Sequence, residues 1–272
     1  GRSIFTSTSS GTALIVGARS GPVQLLLYSV FRIGNATNNI SWKSYQEIAR
    51  NPNILWTVPI SLGDSHKGYR VMGTNADYFE YFQYSGKRRL EMADGRIFEG
   101  VYDAVLGAEV AKKLGYRLND RIILAHGAGN VSFIQHADKP FKVVGILKRT
   151  GTPVDQTIHV RLEGIEAIHI DWKEGAPIPS HSISAENTLK MDLSPRLITA
   201  FFVGLKSRIA AFAVQRNINQ YREEPLLAIL PGVARAELWD LIGVAERALL
   251  MGSGFVVAVG LLGMLVALMT SL

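Results

Sequence analysis

Residues 248 to 272, ALLMGSGFVVAVGLLGMLVALMTSL, run without a charge in a chain that is 19% charged overall. At a helical rise of roughly 1.5 Å per residue the run covers about 37 Å, more than a hydrocarbon core of about 30 Å. It has no polar face, which a helix lying on a soluble core would keep, and it stands far from the N-terminal position of a signal peptide. The sequence therefore predicts a transmembrane helix at 248–272. The competing reading is a very apolar helix inside a large soluble core.

The roughly 247 residues before this run are enough for one large or two medium domains with real cores. Hydrophobic residues make up 47% of the chain, as in ordinary globular protein, and the formal net charge is +6. Lys and Arg are interleaved with Asp and Glu, and Lys87-Arg88-Arg89 is the densest basic cluster. Without an alternating aromatic platform that triplet reads as a solvated loop, and nucleic acid is not an expected partner. The absence of cysteine excludes disulfides, thiolate metal sites and cysteine nucleophiles. The opening GRSIFTSTSSG has neither an initiator Met nor a signal sequence, so an earlier transmembrane helix is expected upstream, with the 247 residues inserted between two spans. Arg235, Glu237, Asp240, Glu246 and Arg247 precede the apolar run as a balanced set, which points the domain to the outside of the membrane.

Periodicity along the chain indicates an α+β fold. TALIVG at 12–17 reads as a buried strand, followed by a helix over Pro22–Phe31 and a second over Ser41–Arg50 with Ser41 as N-cap; ILWTVPI is then a strand. From about residue 63 to 192 the texture is strand-rich. YRVMGT, RIILA, VSFIQ, FKVVGIL and TIHVRL are strand candidates, HGAGN at 126–130 is a hairpin turn, and Ala108–Leu114 is a helix closed by Gly115. A short helix is expected over Glu163–Trp172. LITAFFVGL at 197–205 is a strand, Ser207 caps a helix running to about Glu223, and PLLAIL is the last strand. After Pro231-Gly232 the helical pattern is unbroken to the end. The expected organisation is a discontinuous, porter-like α+β unit (1–62 and 193–232) carrying an inserted strand-rich subdomain (63–192), then a stalk helix (233–247) and the transmembrane helix (248–272).

Three constellations could carry chemistry. Gly63-Asp64-Ser65 invites comparison with esterases whose nucleophile follows Gly-Asp, but no Asp-x-x-His supplies a base, and the segment reads as part of a turn with Lys67-Gly68. Of the six histidines, His66, His126, His136, His159, His169 and His181, only His126 and His136 form a suggestive pair, flanking the predicted hairpin. Surface histidines are the favoured reading. Gly17-Ala18-Arg19-Ser20-Gly21 joins a strand to a helix as phosphate loops do, but it lacks the Gly-Lys-Ser/Thr ending and the Gly-x-Gly-x-x-Gly pattern. It reads as a plain turn, so any ATP site belongs to another polypeptide.

LIVGARSGPVQLLLYSV at 14–30, VPISLGDSHKGYRVMGT at 58–74, VLGAEVAKKLG at 105–115 and FKVVGILKRTGTPVDQTIHVRLEGIEAIH at 141–169 together resemble the extracytoplasmic core domain of MacB-like permeases, in the FtsX-like superfamily of ABC transporter membrane subunits. The resemblance implies a non-enzymatic permease subunit of the bacterial inner membrane, with the bulk of the domain periplasmic. It implies a homodimer or paired permease, a separate cytoplasmic ABC ATPase, and mechanotransmission of ATP-driven closure to outer domains that handle a lipoprotein, peptide or antibiotic-like cargo. A periplasmic partner or lipoprotein fits the same picture. No catalytic, cofactor-binding or metal-binding residue is carried over, and no cofactor is expected. Two other readings stand beside it: a membrane-tethered sensory or metal- or peptide-binding domain, and an anchored hydrolase using Ser65.

Overall fold

The computed structural model describes residues 13–84, 88–127, 138–173, 176–177 and 183–270. They form two units, one through Gly232 and one from Val233 onward.

In the first unit, the apolar run Ala13–Ala18 forms β1, and Pro22 opens the short helix α1 (Pro22–Leu26), where its missing N–H costs nothing. A π-helical turn, Leu27–Phe31, continues it, so the helix expected over Pro22–Phe31 is present with a widened second half. Ser41 caps α2 (Trp42–Ala49), its hydroxyl accepting the Ser44 N–H. The next strand, β2 (Ile54–His66), is longer than the sequence suggests. Gly63-Asp64-Ser65 belongs to this strand and not to a turn. The reversal comes only at Lys67-Gly68, both at positive φ (47° and 85°), as a tight hairpin requires. That turn leads into β3 (Tyr69–Thr74), followed by α3 (Asp77–Tyr81), β4 (Met92–Gly95) and β5 (Asp103–Leu106).

Helix α4 (Ala108–Leu114) ends where expected, at Gly115 in the left-handed region (φ 70°), a conformation glycine adopts without Cβ strain. RIILA splits into two short strands, β6 (Arg121–Ile122) and β7 (Ala125–His126), while VSFIQ lies outside the described residues. β8 (Phe141–Leu147) and β9 (Thr157–Arg161) follow, then α5 (Leu162–His169), three residues shorter at its C-terminal end than the sequence suggests. The unit closes with α6 (Ala185–Thr188), β10 (Ala200–Leu205), α7 (Arg208–Asn219, capped by Ser207) and β11 (Leu226–Ile229).

Eleven strands make one mixed sheet in the order β11-β1-β10-β2-β3-β9-β5-β8-β4, with β7 added to β2 and β6 to β8. Pairing is antiparallel except for β3/β9 and β5/β8, whose parallel partners are reached by helix-containing crossovers. β2 changes partners along its length: Ile54–Ile60 pair with β10, and Ser61–His66 with β3. Two apolar clusters fill the unit. One joins Leu14, Val16, Phe201, Val203 and Leu226 of the sheet to Tyr45 and Ile48 of α2 and to Val214 and Ile218 of α7. The other joins Val71, Leu106, Val143, Ile158 and Val160 to Val110 of α4 and Ile168 of α5.

Two glycines let α5 lie close to its neighbours. A Cβ on Gly164 would meet the Val101 carbonyl oxygen at 2.5 Å, and one on Gly73 of β3 would meet the Ile165 side chain at 2.6 Å. Both contacts lie in the first half of α5 and seat it against β3 and the Val101 segment.

The second unit is formed by the helix α8 (Pro231–Thr270) from Val233 onward; the whole helix is 40 residues or about 60 Å long. Among the described residues it is the one helix long and apolar enough to cross a membrane, with a mean hydropathy of 2.3 over its most apolar window. Phe255, Val256, Leu261, Leu262 and Leu265 are all exposed along it, as a lipid-facing helix requires and a soluble core helix does not.

Candidate functional site

Because β2 continues past Gly63, Asp64 is carried to the edge where β7 pairs with it. The antiparallel register sets His126 directly opposite Asp64, so both side chains leave the sheet on the same face. The Gly127 N–H donates to the Gly63 carbonyl at 2.8 Å and closes this ladder. His169 enters from the last turn of α5. Its Nδ1 faces the Ile165 carbonyl at 2.9 Å and must therefore donate, which leaves Nε2 to face the other two residues.

Three atoms meet there. His126 Nδ1 lies 3.2 Å from His169 Nε2, and each of these nitrogens lies 3.4 Å from Asp64 Oδ1. The carboxylate is the buried floor (3% exposed), the His169 side chain is 21% exposed, and that of His126, at 42%, forms the solvent side. Burial alone would lower the pKa of His169; hydrogen bonding and charge from Asp64 outweigh it and hold the imidazole above its ordinary value.

The other described histidines are occupied otherwise. His66 is buried, with Nδ1 donating to the Ile123 carbonyl (2.6 Å) and Nε2 facing the Tyr116 hydroxyl (2.7 Å); burial lowers its pKa. His159 is fully buried beside Tyr78, and burial with the nearby Arg32 charge lowers its pKa to about 3. Both correct the expectation of surface histidines, because each sits on a strand face turned into the core. Ser65 is likewise buried in β2, and the adjacent His66 is committed to Ile123 and Tyr116, so Gly63-Asp64-Ser65 is not an exposed nucleophile turn. Lys139 Nζ, 1% exposed, bridges Asp171 (2.8 Å) and Asp138 (2.9 Å), while the Ile183 N–H donates to Asp171. This buried pair anchors the chain just beyond His169.

The sequence brings forward His126 and His136 as a pair. His136 and His181 lie outside the described residues, and the histidine that meets His126 is His169. Gly17 to Gly21 is the plain strand-to-helix connection expected, and Arg88 and Arg89 are exposed in a short strand.

The family model of the MacB-like periplasmic core domain matches residues 3–221. The chain belongs to this family. All four segments that carry the resemblance in the sequence fall within the match. Among solved structures, the MacB-like domain is similar to the periplasmic region of MacB from Actinobacillus actinomycetemcomitans, with a TM-score of 0.50 and 11% identity over 87% of this chain and 94% of that one. It is also similar to the extracellular domain of the noncanonic ABC-type transporter YknZ from Gram-positive bacteria, with a TM-score of 0.44 and 13% identity over 80% of this chain and 99% of that one. No curated protein matches the sequence. At such low identity the MacB likeness shows a shared fold: the mixed α+β architecture of the MacB-like periplasmic core domain.

Proposed function

We propose that this MacB-like periplasmic core domain serves an ABC transporter permease as its mechanical outer part, with α8 as the membrane-spanning element that follows it. The observation that carries the reading is the order of parts: a family match over 3–221, followed by one helix whose C-terminal half is free of charge. ATP is then hydrolysed by a separate cytoplasmic ATPase. The permease works as a homodimer or paired assembly in the bacterial inner membrane, and its domain moves in the periplasm on a lipoprotein, peptide or antibiotic-like cargo.

Physical considerations support a mechanical rather than enzymatic role. A helix with no proline after Pro231 keeps its hydrogen-bond ladder, and such a rod transmits displacement along its axis instead of absorbing it in a kink. Gly252 and Gly254 near the predicted membrane surface suit close helix packing within an assembly. Among the described residues, the sequence's candidate nucleophile Ser65 is buried and its neighbour His66 is engaged elsewhere.

The test is purification of the full-length permease from membranes together with its ABC ATPase. The two are expected to elute together, and deleting the permease should abolish an ATP-dependent phenotype. A permease that runs alone and whose deletion leaves every ATP-dependent process intact would end this reading.

A further inference from the structure

We propose that Asp64, His126 and His169 form a binding site for a single divalent transition-metal ion of the zinc type. The three facing atoms make a nearly equilateral triangle with sides of 3.2, 3.4 and 3.4 Å. Zinc bonds nitrogen and carboxylate oxygen at about 2.0–2.2 Å, so neighbouring ligands of a tetrahedral ion stand about 3.3–3.5 Å apart. Octahedral coordination at the same bond lengths would set them nearer about 2.9 Å. The triangle is therefore one face of a four-coordinate site.

Ligand chemistry selects the ion. Two imidazoles and one carboxylate suit zinc, cobalt, nickel or copper, whereas calcium and magnesium demand oxygen donors throughout. The surroundings are built as the second layer of such a site is built. Donation from His169 Nδ1 to the Ile165 carbonyl fixes the tautomer that turns the Nε2 lone pair inward. Register pairing holds Asp64 and His126 on one face of the sheet, and the Gly73 and Gly164 contacts seat the first half of α5 against it. A bound ion would join β2, β7 and α5, three elements that are distant in sequence. The inference is independent of the proposed transport role, because it concerns the chain's affinity for a metal and not its coupling to an ATPase.

The experiment uses the full 272-residue chain in detergent, free of any affinity tag and stripped with chelator. It is titrated with zinc chloride by calorimetry and with cobalt(II) by visible absorption. One equivalent should bind with a Kd in the micromolar range or tighter, and cobalt should give the d–d bands of a tetrahedral ion. Asp64→Asn, His126→Ala and His169→Ala should each weaken binding at least tenfold. His126 is the most exposed of the three side chains, so its variant is the one expected to keep the fold, and the test stands even if the buried Asp64 variant unfolds. Absence of binding at 100-fold micromolar excess, as expected if the three groups are linked only by shared protons, would overturn the proposal. So would a folded histidine variant that binds within tenfold of the parent.

Discussion

The two halves of the sheet are held by different means. Around β11, β1 and β10 the interior is apolar: Leu14, Val16, Phe201, Val203, Val214 and Leu226 pack between the sheet and helices α2 and α7. Beyond the midpoint of β2, the other half contains every acid, lysine and histidine that is buried among the described residues, namely Asp64, His66, Lys139, Asp155, His159 and Asp171. The first half is stabilised by removal of area from water, which depends little on pH. The second depends on each buried polar group keeping its partner, so its stability responds to protons and to loss of single atoms.

Five substitutions break or sharpen this contrast, all read by urea unfolding of the full chain in detergent. Phe201→Ala in the apolar half removes a fully buried ring packed edge-on to Tyr45 and should cost about 4 kcal/mol, equally at pH 7 and pH 5. A cost that changes with pH would blur the division. Lys139→Met leaves Asp171 buried without its cation and should cost about 3 kcal/mol, at least half of it recovered when Asp171→Leu is added. No recovery in the double variant would show that the lysine acts by packing alone.

His159 gives the pH arm. Its folded-state pKa of about 3 lies below the ordinary 6.5, so the unfolded chain binds the proton more readily and acid favours unfolding. The loss begins as pH falls through 6.5 and is complete near 3, which amounts to about 2 kcal/mol between pH 7 and pH 5. His159→Phe should retain the contact with Tyr78 and lose about 2 kcal/mol less than the parent over that interval. An identical pH slope would remove His159 as a source of acid sensitivity. The smallest effect belongs to Ser41→Ala, which deletes the α2 cap and should cost about 1 kcal/mol independent of pH.

What the sequence made legible was local. β1, the Ser41 and Ser207 caps, the Gly115 stop and the Lys67-Gly68 reversal each depend on a few neighbouring residues, and each appears in the structure. The far end of β2 was hidden because Gly63-Asp64-Ser65 has turn composition, whereas its conformation is set by ladders to β3 and β7. The Asp64–His126–His169 cluster was hidden for the same reason at longer range. His126 and His169 are 43 residues apart, and only strand register and the docking of α5 bring them together with Asp64. Nearest-neighbour spacing favours the His126–His136 pair, since it contains no information about a helix end arriving from elsewhere in the chain.

β2 belongs to both halves at once, handing its hydrogen bonds from β10 to β3 between Ile60 and Ser61. Successive peptide units of one continuous strand are stitched first to β10 and then to β3, so the two halves share a covalent backbone at the handover. Asp64 lies on this shared strand four residues beyond Ile60, so the floor of the His126–His169 triangle is carried by the one backbone common to both halves.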